Sequence, residues 1–368
     1  MQEQTNSPVN LIWKRFKKNY FALFGLVVVA ITFFLAIFSY LFIPDKSKFA
    51  NQMCLQASML SPGSSVNFLT IKPIGIIEKN NIGDFFSGKE ETYQLIPVTK
   101  FHLQNDAVFY QELGNEDEKW QSISCENLIS TDKAGTDKYI TTKFYLLGTD
   151  KFGRDVFSRL ILASRVSISV GFIAVFISLL IGITLGALAG YYRGIVDSII
   201  TWLVNVVWSI PTLLLVVAIT LALGKGFVQV FIAVGLTMWV EVTRLVRGQF
   251  FSLREAQFVE AGRSFGFKNS RIIFKHILPN VLGPVIVIAA SNFASAILLE
   301  AGLSFLGLGA QPPMPSWGMM IKENYGYIVV DAAYLAIAPG IAIAILVMAF
   351  TFLGNGLRDA FDVKQSIN

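Results

Sequence analysis

"EAGRSFGFKNSRIIFKHILPN" (Glu260–Asn280) lies between two long apolar runs and carries Arg263, Lys268, Arg271, Lys275 and the titratable His276. A plain connection needs only a few polar residues, whereas this one has a plan. Phe258–Phe265 has helix-forming character with mixed charge, and Gly266 is a fitting stop. Asn269 or Ser270 is placed to cap a second helix, "RIIFKHIL", which runs up to Pro279. The pattern predicts a small helical hairpin set across the direction of the flanking runs.

Those runs set the class of the protein. The chain has 368 residues, 54% of them apolar and only 15% charged, with mean hydropathy +0.57. Soluble domains carry roughly 25% charged residues, so the composition is that of an integral membrane protein. A spanning helix needs about 20 mostly apolar residues to cross a core about 30 Å thick. Asn19–Pro44, Val166–Tyr192, Ser198–Gly224, His276–Leu299 and Ala332–Leu357 qualify as stretches free of Asp, Glu, Lys and Arg. Gly226–Val240 is short, and reaches full length if it continues to about Val246 with Glu241 near a membrane face. An acid at the bilayer centre would cost roughly 2.5–3.5 kcal/mol. The count is six spans. "AGLSFLGLGAQPPMPSWGMMI" (Ala301–Ile321) is uncharged too, but its glycines and prolines predict an irregular or re-entrant hairpin.

Charge orients the spans. Lys14, Arg15, Lys17, Lys18, Arg193, the seven basic residues from Arg244 to Lys275, Arg358 and Lys364 fall on one side, and only Lys225 and Lys322 occupy the short loops opposite. Lys and Arg collect on the cytoplasmic side, so both termini are expected there and residues about 45–160 outside. The net charge of +5 reflects this topology, not nucleic-acid binding. The first apolar run is too long for a signal peptide and lacks a small-residue cleavage site, so it is expected to stay as an anchor. Before it, Ile12, Trp13, Phe16 and Tyr20 share one helical face and Lys14, Lys17 and Lys18 mostly the other. That fits an interfacial helix on the membrane lipid, with a plain basic flank as the open alternative.

Between the first two spans, residues 45–144 form a polar island. "VNFLTIKPIGIIE", "YQLIPVTKFHLQ", "AVFYQEL" and "YITTKFYLL" read as short strands separated by turn residues. A β-rich insert is expected, because long structureless loops are uncommon. Cys54 and Cys125 both fall on this outer side, where disulfides persist, and a bridge between them is expected if their Cα atoms lie within about 7 Å. Gly182, Gly186 and Gly190 share a face of the second span, either against another subunit or, more simply, against a neighbouring helix of the same chain.

Three stretches together resemble one family. Glu260-Ala261-Gly262, then Gly266, then Leu278-Pro279 resembles the cytoplasmic loop signature of ABC importer permeases, with Gly262 in place of the second alanine and His276 at an isoleucine position. "LGTDKFGRDVFSRLILASRVSISVG" (Leu147–Gly171) and "EAGLSFLGLGAQPPMPSWG" (Glu300–Gly318) resemble outer segments of the C-type subunit of dipeptide and oligopeptide permeases. The motif residues there are Gly148, Thr149, Asp150, Gly153, Arg154 and Asp155, and Glu300, Gly302, Ser304, Gly307, Gly309, Pro313, Trp317 and Gly318. The upstream stretch from Trp239 matches too, except that Glu241 stands where a neutral residue is expected. The resemblance covers 1–44 and about 145–368, leaving 45–144 as an unusually long insert.

The resemblance implies an all-α polytopic fold of the type I importer permease kind, in a bacterial cytoplasmic membrane. It implies a heterodimer with a second permease, two ABC ATPases that hold ATP and Mg²⁺, and an extracytoplasmic solute-binding protein. The hairpin at about 255–280 would be the coupling element, with Glu260, Ala261, Gly262, Gly266, His276, Leu278 and Pro279 at the ATPase dock. The chain itself lacks a phosphate-loop motif and is expected to need no cofactor and to perform no catalysis. Asp150, Arg154 and Asp155 are expected to build a helix start, with Thr149 or Asp150 as the cap. No paired Cys/His spacing signals a metal. Peptides are the expected cargo. Nickel chelates, glutathione or antimicrobial peptides remain open, as does a receptor or assembly role carried by the insert.

Overall fold

The computed structural model describes residues 8–72, 84–89, 93–114, 120–130, 138–329 and 331–362. Part of the expected first strand, 73–78, lies outside the described residues. Helix α1 (Pro8–Phe16) precedes α2 (Tyr20–Ile37), whose cap Asn19 accepts the Ala22 N–H. In α1 Phe16 is buried while Leu11 and Trp13 stay half exposed, an amphipathic split. Five strands follow: β1 (Ser64–Ile71), β2 (Gln94–Gln104), β3 (Ala107–Glu112), β4 (Gln121–Ser124) and β5 (Ile140–Tyr145). They form one antiparallel sheet in the order β4-β3-β2-β1-β5. The first and last strands are neighbours, with Ser64 opposite Tyr145. The insert therefore leaves and re-enters the helical body at one place.

The remaining chain is helical: α3 (Val156–Tyr192), α4 (Gly194–Trp208), α5 (Thr212–Leu223), α6 (Phe227–Leu253), α7 (Gln257–Ser264), α8 (Leu278–Phe305), α9 (Trp317–Asn324) and α10 (Tyr334–Phe361). Among the described residues five helices are long and apolar enough to cross a membrane, or six if α4 and α5 count as one span. α3 is the central post. Gly182, Gly186 and Gly190 face α6, where an added Cβ would lie 2.5 Å from Val242, 2.7 Å from Val246 and 2.5 Å from Phe250. Gly235 returns the contact from α6, against Ile177. The glycine stripe packs within the chain. A second layer joins α2, α3, α8 and α10 through Val29, Val175, Phe293, Leu346 and Phe350, with Phe293 and Phe350 stacked at 4.1 Å.

Two expectations change. The third span is not one helix: α4 and α5 meet at 90°, around Ser209-Ile210-Pro211. Proline offers no N–H and disfavours the helical conformation in the residue before it, so the ladder stops there. The Cys54–Cys125 bridge is not formed; both thiols are free and buried. Cys54 packs with Val66, Phe68 and Tyr145, and Cys125 with Leu69, Val98 and Leu128. Phe68 and Leu69 are consecutive in β1, so they point to opposite faces of the sheet, and the sheet separates the two sulfurs. Burial also pushes the Cys54 thiol pKa up, which disfavours the reactive thiolate.

Candidate functional site

The projecting hairpin is built from its stop signal outward. α7 buries Val259 and Gly262 and exposes Phe258, Glu260 and Ala261. Gly266 has φ +72°. Its N–H donates to Arg263 O at 2.8 Å, and the Phe267 N–H donates to Gly262 O at 3.0 Å. This paired closure lets a left-handed residue end the helix and satisfies its last carbonyls. It also turns Phe267 back over Gly262, where an added Cβ would come within 3.3 Å of the ring. The missing methyl at position 262 is thus matched by an aromatic ring at 267.

Phe267 is the hub of the root. Its ring stacks on His276 at 5.5 Å and carries the Arg271 guanidinium at 4.1 Å. His276, the second departure from the family pattern, is a packing partner at the base of the hairpin. Tyr191, at the end of α3, donates its hydroxyl to Asn269 Oδ1 at 2.8 Å. Asn269 is therefore a tether, and neither it nor Ser270 caps the second helix: Lys268 is the capping position, without a side-chain bond. From Asn269 the helix runs into α8 through a π segment, Ile272–Ile277, where the Leu278 N–H reaches back to Ile273 O. A proline ring clashes with the carbonyl four residues earlier, and the wider turn accommodates Pro279. Asn280 Nδ2 donates to His276 O at 2.7 Å, satisfying a carbonyl of that segment. Sequence reasoning missed Tyr191 and Phe267. An aromatic directly after a helix-stopping glycine was the available signal for the second. Nothing local marks the first.

The two outer motifs, far apart in sequence, form one clasp. Arg154 Nε pairs with Asp150 at 2.7 Å and Arg154 Nη2 with Glu323 at 2.8 Å, with Arg154 and Asp150 almost fully buried. Asp150 also accepts the Phe152 and Arg154 N–H groups. Asp155, not Thr149 or Asp150, is the cap of α3, accepting the Ser158 N–H at 3.0 Å. Thr149 instead holds the incoming chain: its hydroxyl donates to Ala57 O at 2.6 Å and accepts the Leu60 N–H at 2.9 Å. At Gly153 (φ +72°) a Cβ would sit 1.8 Å from Cys54 O, and at Gly148 (φ +70°) 2.1 Å from Leu60 O.

The second motif closes against the first. The Trp317 indole donates to Leu160 O at 2.9 Å. Glu300 is fully buried and accepts from Ser304 at 2.7 Å and Ser167 at 3.3 Å. Gly318 lies against Ala301 O and Gly309 against Ser304, each too close for a side chain. Gly307 has φ +81°, Pro313 follows a cis Pro312–Pro313 bond, and Gly302 faces open space. The acids and the arginine here bond to one another, to serines and to backbone groups, as a clamp does.

Helices long enough to span a membrane, one of them broken, with a hairpin projecting from α6 and α8, are those of a multi-pass membrane protein. Residues 182–366 match the family model of the binding-protein-dependent transport system inner membrane component. Residues 7–62 match the N-terminal membrane domain of oligopeptide transport permease C. The dipeptide transport system permease protein DppC of Alkalihalophilus pseudofirmus is 45% identical over 59% of this chain and 71% of its own length. The glutathione transport system permease protein GsiD of Pectobacterium atrosepticum is 42% identical over 59% and 72%. An inward-facing structure of the MetNI methionine ABC transporter aligns at TM-score 0.46 with 20% identity, over 55% of this chain and 96% of that one. The chain belongs to the binding-protein-dependent transport system inner membrane components, the permeases of ABC importers, and is a multi-pass protein of the inner membrane.

Proposed function

We propose that this permease passes di- or oligopeptides, drawing its energy through the hairpin from separate ATPases. It works beside a second, related permease, with two ATPase subunits that hold ATP and Mg²⁺, and it receives cargo from an extracytoplasmic binding protein. The chain itself performs no chemistry. Both termini and α7 face the cytoplasm, and the sheet faces outward. The cargo reading is supported by the permease relatives for dipeptide and for glutathione.

The observation that carries the coupling role is the hairpin's division of labour. Its tip exposes Glu260 and Ala261, while its root is fastened to α3 through Tyr191 and, through Phe267 and His276, to the π segment that continues into α8. A push on the tip therefore reaches two spanning helices as one body, as a rigid-body switch requires. Glu260 supplies a charged docking contact, Ala261 leaves room for close approach, Gly262 and Gly266 shape the stop, and Leu278-Pro279 forms the joint. The test is uptake of labelled dipeptide by proteoliposomes holding the full complex, with Glu260→Arg and Gly266→Pro combined. Proline cannot reach φ +72°, and arginine inverts the tip charge. Uptake should fall at least tenfold; wild-type uptake would end the coupling assignment.

A further inference from the structure

Glu241, which stands where a neutral residue is expected in the α6 motif stretch, is not explained by the coupling function. It is exposed, near the middle of α6, about 21 Å from Phe227 and about 18 Å from Leu253 along the helix axis. Among the described residues its side chain makes no ion pair or hydrogen bond. The nearest cations on its own helix are engaged elsewhere. The Arg244 guanidinium lies 3.7 Å from the Trp208 ring centroid, and Arg247 is paired with Asp197. An exposed carboxylate on a spanning helix faces a water-filled cavity or an outside cation, since lipid would not tolerate it.

The cavity is present. A space of about 330 Å³ opens where the third span breaks, lined by Trp208, Thr212, Thr237, Glu241, Ser295 and Leu298 among others. Its walls are mostly apolar, and its size is that of a pocket for a small ligand. The hydroxyls of Thr237 and Ser295 donate back into their own helices, at 2.8 Å and 3.3 Å. What they still offer is lone pairs. Glu241 is the one carboxylate in the lining, and a compact cation with several N–H donors would complement it together with these lone pairs.

We infer that Glu241 receives the amino-terminal ammonium group of a peptide during translocation, with Thr237 and Ser295 as further acceptors and the apolar wall taking a side chain. This inference rests on the peptide reading above. The chemistry is binding and release only, with no bond made or broken. Glu241 is the residue that tells a peptide with a free amino terminus from a neutral molecule of the same shape.

The test uses the complete complex in proteoliposomes with saturating binding protein and labelled Ala-Phe. Glu241→Gln keeps the shape and removes the charge; Glu241→Asp keeps the charge. Uptake should fall at least tenfold in E241Q and return to within threefold of wild type in E241D. E241Q uptake equal to wild type overturns the inference. So does loss of the second permease from purified E241Q complex, because Glu241 would then serve the subunit interface. A wild-type complex that carries no peptide removes the peptide reading itself, and this inference with it. Cross-linking guards against a variant that fails to insert: in wild type, a dipeptide containing photo-leucine should mark residues 237–241 or 295–299. Adducts confined to other segments overturn the proposal.

Discussion

At the level of single residues, Arg154 shows how much a motif can owe to packing alone. Its guanidinium is buried between Asp150 and Glu323, so removing it strands two acids in a protein interior. Breaking one partner of a buried pair costs about 3–5 kcal/mol. Arg154→Ala should therefore lower the thermal midpoint of the detergent-solubilised chain strongly, and E323Q on that background should recover part of the loss. Gly153→Ala should be as damaging, because its methyl has no room beside Cys54 O and φ is +72°. At the hairpin the opposite holds. Gly262→Ala gains helix propensity of up to about 1 kcal/mol and asks the Phe267 ring to move by a few tenths of an ångström. Uptake within twofold of wild type is expected for G262A. Phe267→Ala, which unfastens the root, should lower uptake severalfold while the chain still assembles.

Among the elements, the pairing of α3 with α6 governs the architecture. Gly182, Gly186 and Gly190 recur every four residues, so one face of α3 is smooth and the α6 side chains drop into it. An added methyl there overpacks the seam, at a cost of about 1–3 kcal/mol. Gly186→Ala should lower the thermal midpoint, since its methyl meets the Val246 Cβ and the Thr243 carbonyl, whereas Gly248→Ala on α6, which faces open space, should not. Equal losses at the two positions would remove the explanation. Much at this scale was legible in the sequence: the apolar runs, the helix stop at Gly266 and the strand segments. The 90° break at Ser209-Ile210-Pro211 was not, because an apolar stretch with one proline is also compatible with a kinked but continuous helix. Nor was the Asp155 cap, since Thr149, Asp150 and Asp155 are all capable cap residues and only the path of the chain selects one.

For the whole molecule, the insert is two structures. Residues 45–63 are sewn into the outer clasp through Cys54, Met59 and Leu60, which bond to Phe152, Asp150 and Thr149. The sheet is an excursion whose ends meet, with Gly63 N–H donating to Tyr145 O at 2.9 Å. A deletion starting at residue 50 would tear the clasp. Removing 65–144 and joining Ser64 to Tyr145 through a short linker keeps the clasp but also takes Phe86, Ser87 and Lys89, whose carbonyls accept from Arg165, Tyr40 and Lys48, so it should lower the thermal midpoint while the chain still inserts. We expect that variant to lose most stimulation of the partner ATPases by binding protein, if the sheet is where the binding protein touches. Unchanged stimulation would show the sheet to be dispensable for docking.

The sequence alone determined the membrane class, the six apolar stretches, the strand-rich insert and the hairpin with its stop, because each is written in local composition and periodicity. Tertiary structure decided what those local signals leave free. It placed Cys54 and Cys125 on opposite faces of one sheet, turned the glycine stripe toward α6, and joined two outer motifs through Arg154, Glu323 and Trp317. It also brought Glu241 to a cavity where a broken helix meets two others. These outcomes depend on which surfaces meet, and distance in space is set by packing of the whole chain.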